Sequence, residues 1–134
     1  MVRVGKNLMK KNKLRIGNDL EVENFIYGIT HEIWENKQIN SIHDYYSEDV
    51  IVRSPRNTTY KCKDVIESTK DTLNQFPNRQ LIGEDVIWSG DYKNGILSSH
   101  RILSTATHIG NGFYGKITGK KIRYRVIADC FIVD

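Results

Sequence analysis

Leu97-Ser-Ser-His-Arg-Ile-Leu-Ser-Thr-Ala-Thr-His108 and Arg123-Tyr-Arg-Val-Ile-Ala-Asp129 are the stretches that decide how this chain folds. Both read as long β-strands, and each carries ionisable groups inside an otherwise apolar run. Strand side chains alternate between faces with a period of two. His100 therefore shares a face with Ile102, Ser104, Ala106 and His108, and Asp129 shares one with Arg125, Ile127, Phe131 and Val133. A carboxylate between Ile127 and Phe131 is costly to bury unless it is paired, hydrogen-bonded or protonated. Polar groups on a mostly apolar sheet face are what a small-molecule pocket looks like. The function is expected there.

Working outward, the rest of the second half also reads as antiparallel sheet. One strand runs over 79–88, followed by a turn region over 89–95. Two long strands cover 96–108 and 120–133, joined by the glycine-rich Gly110-Asn-Gly-Phe-Tyr-Gly-Lys-Ile-Thr-Gly119. The first half is helical. Asp19 is placed to cap a helix reaching Asn36, with Val22, Phe25, Ile26, Ile29 and Ile33 on one face. A short helix is predicted over 39–46 and a brief strand over 50–52, stopped by Ser54-Pro55. Asp64 and Glu67 have capping-box spacing for a third helix that Pro77-Asn78 ends. Helices followed by a run of long strands mean α+β, with helices gathered on one face of a curved sheet and a cavity at one end.

At 134 residues this is one domain. The net charge of +4 is concentrated: Arg3, Lys6, Lys10, Lys11, Lys13 and Arg15 precede the first acidic residue, Asp19. From 19 onward, 14 basic residues face 16 acidic ones. Residues 1–18 thus read as a basic arm, a disordered leader or a remnant of expression, and 19–134 as the domain. The arm has no aromatic residue for stacking on bases, so no nucleic-acid partner is expected. It also lacks the apolar run of a secretory signal, and nothing approaches a membrane span. Cys62 and Cys130 are too few and too far apart for a disulfide framework or a zinc site. The expectation is a reduced, soluble, cytoplasmic protein with no metal.

The element order resembles the nuclear transport factor 2-like superfamily, a cone-shaped α+β fold. Within it the chain looks like the SnoaL-like polyketide cyclase group. The resemblance covers 20–134 and rests on Ile33-Trp-Glu35, Ile42-His-Asp-Tyr-Tyr46, Asp49-Val-Ile-Val52, Asp71-Thr-Leu-Asn-Gln-Phe-Pro77, Gly83-Glu-Asp-Val-Ile-Trp88, Ser99-His-Arg101, Thr105-Ala-Thr-His108 and Thr118-Gly119. It implies a curved antiparallel sheet wrapped around three helices, a homodimer, and a hydrophobic, oxygenated small-molecule ligand. It also implies acid/base chemistry of cyclase or isomerase type without a cofactor. An aspartate on a late strand is the general acid/base of such cyclases and a histidine positions the substrate. Asp129 matches the first, and His100 or His108 the second. Desolvation among Ile127 and Phe131 would raise the Asp129 pKa toward neutrality, which suits abstraction of an acidic C–H proton. Trp88, Arg101, Arg125, Phe131 and Tyr46 are the expected substrate contacts.

The chain departs from the family at Cys62, where a glycine is usual before the third helix. It also stops at Asp134, where the family adds one more long strand. That leaves the 120–133 strand with an open edge, which either a longer chain or a partner would complete. Three alternatives to catalysis stand beside this reading. Asp129 could be a structural ion pair with Arg125 or Arg101. The pocket could bind without turning over. Or the domain could be an interaction module, since this fold hosts binding proteins and pure partners as well as enzymes. An epoxide-hydrolase set would need Arg101, Arg125 and Asp129 joined by Asp85 or Glu84.

Overall fold

The computed structural model describes residues 2–4, 19–91 and 93–133. Four strands form the main sheet: β1 (Val2–Val4), β4 (Gln80–Asp91), β5 (Gly95–Thr107) and β6 (Lys121–Ile132). Their order is β1-β6-β5-β4, with β4, β5 and β6 antiparallel. Strands β2 (Val52–Arg53) and β3 (Thr58–Thr59) pair separately as a small hairpin. Among the described residues three α-helices complete the fold: α1 (Asp19–Thr30), α2 (Ile42–Tyr45) and α3 (Cys62–Gln75). This is the α+β arrangement expected, a sheet on one side and helices on the other, not closed into a barrel.

Alternation along β5 explains why the helices dock where they do. Ile96, Ser98, His100, Ile102, Ser104, Ala106 and His108 are all buried, while the residues between them are exposed or half-buried. The apolar stripe of α1, Val22, Phe25 and Ile26, packs with Ile33, Ile42, Val65 and Ile66 against that face. The predicted helix to Asn36 is present but changes pitch: α1 gives way to a π-helical turn over His31–Glu35, which Asn36 closes by donating to the His31 carbonyl. Helix α3 begins earlier than its sequence signal. Lys61 is the cap residue, without a side-chain bond, and Asp64 lies in the first turn, where its charge complements the helix dipole without capping.

One expectation about the sheet's edge is revised. Strand β1 runs parallel to β6, pairing Val2 with Cys130 and Val4 with Ile132, so the β6 edge is covered there. No strand among the described residues pairs with the rest of that edge. The remainder of the basic arm, residues 5–18, lies outside the described residues. No helix among the described residues is long and apolar enough to cross a membrane.

Candidate functional site

Two adjoining cavities lie between the sheet's inner face, the helices and the β2–β3 hairpin. The larger holds about 520 Å³, within the range of small-molecule sites. Its walls are aromatic and hydroxylic: Trp34, Tyr46, Tyr114 and Tyr124 with Ser54, Thr59, Ser68, Thr69 and Thr72. Arg56, Arg79 and Arg125 also line it, and none of its lining residues among those described is acidic. The smaller, about 200 Å³, is more apolar, with Ile26, Ile29, Leu81, Ile102 and Val126 around His100 and Cys130. Ile33, Trp34, Tyr46, Arg79 and Val126 line both.

Local structure sets these side chains. At the end of the π-helical turn, Lys37 takes a left-handed backbone (φ 58°) that non-glycine residues seldom adopt. Its ammonium donates to the Trp34 carbonyl at 2.6 Å and the Arg79 carbonyl at 2.8 Å, tying the turn to the start of β4. The Arg79 guanidinium then stacks over Trp34 at 4.6 Å and approaches Tyr124 at 5.8 Å, while its Nε donates to Ser104 Oγ at 3.3 Å. Across the larger cavity, Arg56 bridges to Asp71 at 2.6 Å and lies over Phe113 at 4.7 Å. The glycine loop is fixed by Gln75, fully buried at the end of α3. Its side-chain carbonyl accepts the Tyr114 amide at 3.0 Å, and its backbone carbonyl accepts the amides of Ile109 and Gly110. Tyr114 is thereby held at the cavity wall.

Several buried polar atoms facing this region have no protein partner. They are Arg56 Nη1, Thr59 Oγ1 and His100 Nδ1. Such atoms are rare in folded proteins because an unmade buried hydrogen bond is costly. His100 is only 7% exposed. Burial pushes its imidazole below its ordinary value, against the opposing pull of the Asp129 charge and the Ala128 backbone. Burial likewise pushes the Cys130 thiol up to about 11 and the Tyr46 phenol above its ordinary value. At neutral pH the smaller cavity is therefore lined by uncharged proton carriers, and Arg79 is its one formal charge among the described residues.

The sequence-predicted residues divide between the two faces of the sheet. His100 and Tyr46 line cavities. His108 is buried on the same face as His100 but under the glycine loop, stacked on Phe76 at 5.0 Å and hydrogen-bonded with Thr118 Oγ1 at 3.1 Å. It lines neither cavity, and its Nε2 is a further buried atom without a partner. Trp88 is half-buried against the core, away from both cavities. Asp129 is exposed, because β6 pairs Ser99 with Asp129 and so turns it to the face opposite His100. The enclosed apolar surroundings expected for it are absent.

Arg101, Arg125 and Phe131 share that outer face. The two arginines do not pair with Asp129. Both grip Glu84, which a bulge between Gly83 and Asp85 turns outward; Arg125 donates at 2.9 and 3.0 Å and Arg101 at 3.0 Å. The hydrogen bonds from Arg125 above all hold the Glu84 carboxyl below its ordinary value. Arg125 also lines the larger cavity. The aspartate–arginine–carboxylate set of an epoxide hydrolase is not assembled.

One cluster had no sequence signal. His43 Nδ1 lies 3.5 Å from Cys62 Sγ and 3.7 Å from Glu48 Oε1, and the three donor atoms lie within 4.8 Å of one another. Burial, reinforced by Glu48, pushes the Cys62 thiol up, which works against the thiolate a metal would need.

The fold is similar to the crystal structure of a "putative polyketide cyclase" from Acidithiobacillus ferrooxidans, with a TM-score of 0.63 at 16% identity, over 90% of this chain and 87% of that one. At that identity the likeness is one of fold. No protein-family model and no curated protein matches the chain.

Proposed function

We propose that the chain binds a hydrophobic, oxygenated small molecule in the two adjoining cavities. There His100 acts as the proton acceptor in cofactor-free acid/base chemistry of the cyclase or isomerase type. The observation that carries this reading is His100 Nδ1, buried without a partner at the wall of an apolar compartment. Its imidazole, held neutral by burial, is in the form that can take a proton from an activated C–H bond near pH 7. Tyr46 and the Cys130 thiol beside it remain protonated and can donate to a substrate oxygen. The cyclase-like fold supports the same reading.

Native mass spectrometry of the protein purified without denaturation is the test of binding, since it reads any retained small molecule together with the subunit number. A retained or added ketone or quinone that shifts the mass stoichiometrically is the expected result. Turnover of that compound should fall about 10²- to 10⁴-fold in His100→Gln. An unchanged rate in that variant removes His100 from the chemistry and leaves a binding domain.

A homodimer is the second part of the reading. It is supported by Ile82, Ile87, Leu97 and Ile127, which stand 45–67% exposed on the sheet's outer face. Ile127→Glu should then shift the protein from dimer to monomer in light scattering.

A further inference from the structure

We propose that Arg79 is the anchor for an acidic ligand, so that the small molecule these cavities take carries a carboxylate on a planar, apolar body. The inference rests on the binding reading above and specifies the chemistry of that same site. Arg79 is half-buried, lines both cavities, and has no carboxylate within salt-bridge reach among the described residues. Its Nε is used on Ser104, and neither of its Nη groups donates to an acceptor among the described residues. The other cavity arginines are each tied to an acid, Arg56 to Asp71 and Arg125 to Glu84.

A guanidinium withdrawn partly from water with no counter-charge is unfavourable unless something else supplies one. Lys37, on which the Glu35 charge also acts, bonds the Arg79 carbonyl, and no lining residue of either cavity among the described residues is an aspartate or glutamate. The free edge of a planar guanidinium matches a carboxylate with two parallel hydrogen bonds. Stacking on Trp34 fixes its plane and so the plane of the incoming acid. The body of the ligand would then lie in the larger cavity between Tyr46, Tyr114 and Tyr124. Thr59, 8% exposed with its Oγ1 unpartnered, supplies a further polar contact there.

The test compares 2-naphthoate with its neutral isostere 2-naphthamide, by calorimetry and by the shift of the Trp34 indole N–H resonance. A charge-assisted pair should make naphthoate bind about tenfold or more tighter than the amide. In Arg79→Gln that preference should collapse toward unity. Equal affinities in the wild-type protein, which require no variant to fold, overturn the anionic assignment and leave the cavity reading standing. So does a preference that survives in Arg79→Gln. If neither probe binds or moves the Trp34 resonance at millimolar concentration, the cavity reading itself falls and the acid assignment with it.

Discussion

On its inner face the sheet carries Ser98, His100, Ile102 and Ser104, all buried; on its outer face it carries Glu84, Arg101, Arg125, Ile127 and Asp129, mostly exposed. Both sets mix apolar and ionisable residues, and the same strands supply both. What separates them is what lies opposite. The inner face meets helices and a cavity, so each polar atom there is desolvated and its hydrogen-bonding state matters. The outer face meets no packing layer among the described residues, so its charges find one another, with two guanidinium groups on one carboxylate. A polar residue in an apolar strand is therefore a marker of function only when the face it occupies is known.

The largest difference between the faces should appear in packing. Ile96 is 1% exposed and Ile127 64% exposed, one at each face. Ile96→Ala should cost about 2–5 kcal/mol, the range for truncation in a closed core. Ile127→Ala in the monomer should stay within about 0.5 kcal/mol, as expected for a surface position. Urea unfolding of both variants reads the contrast directly. Similar costs would mean that the outer face is covered in solution, which dimerisation would explain and a dilution series would reveal.

Acid should then separate the faces by pH window. His100 has its folded-state value below the ordinary 6.5, because burial opposes the imidazolium. The unfolded chain takes up this proton first as pH falls. Stability is thus full above 6.5 and declines between 6.5 and the lower folded value. Glu84, held below its ordinary 4.5 by Arg125 and Arg101, contributes stability above 4.5 that is lost as pH falls through its own folded value. His100→Gln should flatten the first decline and leave the second; Glu84→Gln should do the reverse. A first decline that survives His100→Gln would assign it to another group.

The sequence carried the element order, the α+β class and the sidedness of β5 well, because a period of two needs no partner to be visible. It did not carry register. Asp129 and His100 each sit in a polar-in-apolar pattern, yet only the pairing of Ser99 with Asp129 puts them on opposite faces. The bulge at Glu84 was equally hidden, and with it the partner of both outer arginines. Arg79 and Trp34 are 45 positions apart in the chain and meet through a backbone clamp from Lys37, so no local spacing announces them. Thr59 and Arg56 lie just past Ser54-Pro55, a stretch legible only as the end of a strand. Pockets built from several elements leave little trace in any one of them.

The smallest effect is also the sharpest probe of how separate the faces are. Asp129 makes no contact with the cavities, so Asp129→Asn should leave the melting temperature and ligand affinity nearly unchanged, within about 0.5 kcal/mol for a surface position. Its charge nevertheless acts across the thickness of the sheet and raises the His100 value against the larger effect of burial. Removing that charge should move the His100 titration further down, as read from its imidazole ¹⁵N shifts. The direction matters more than the size: a carboxylate cannot favour the neutral imidazole, so an upward shift would require Asp129→Asn to have opened the inner face to water. A downward shift with unchanged binding would make Asp129 a remote electrostatic influence on the proton acceptor. A loss of turnover far beyond what that shift accounts for would instead return Asp129 to the chemistry, and would require β6 to adopt a different register when ligand is bound.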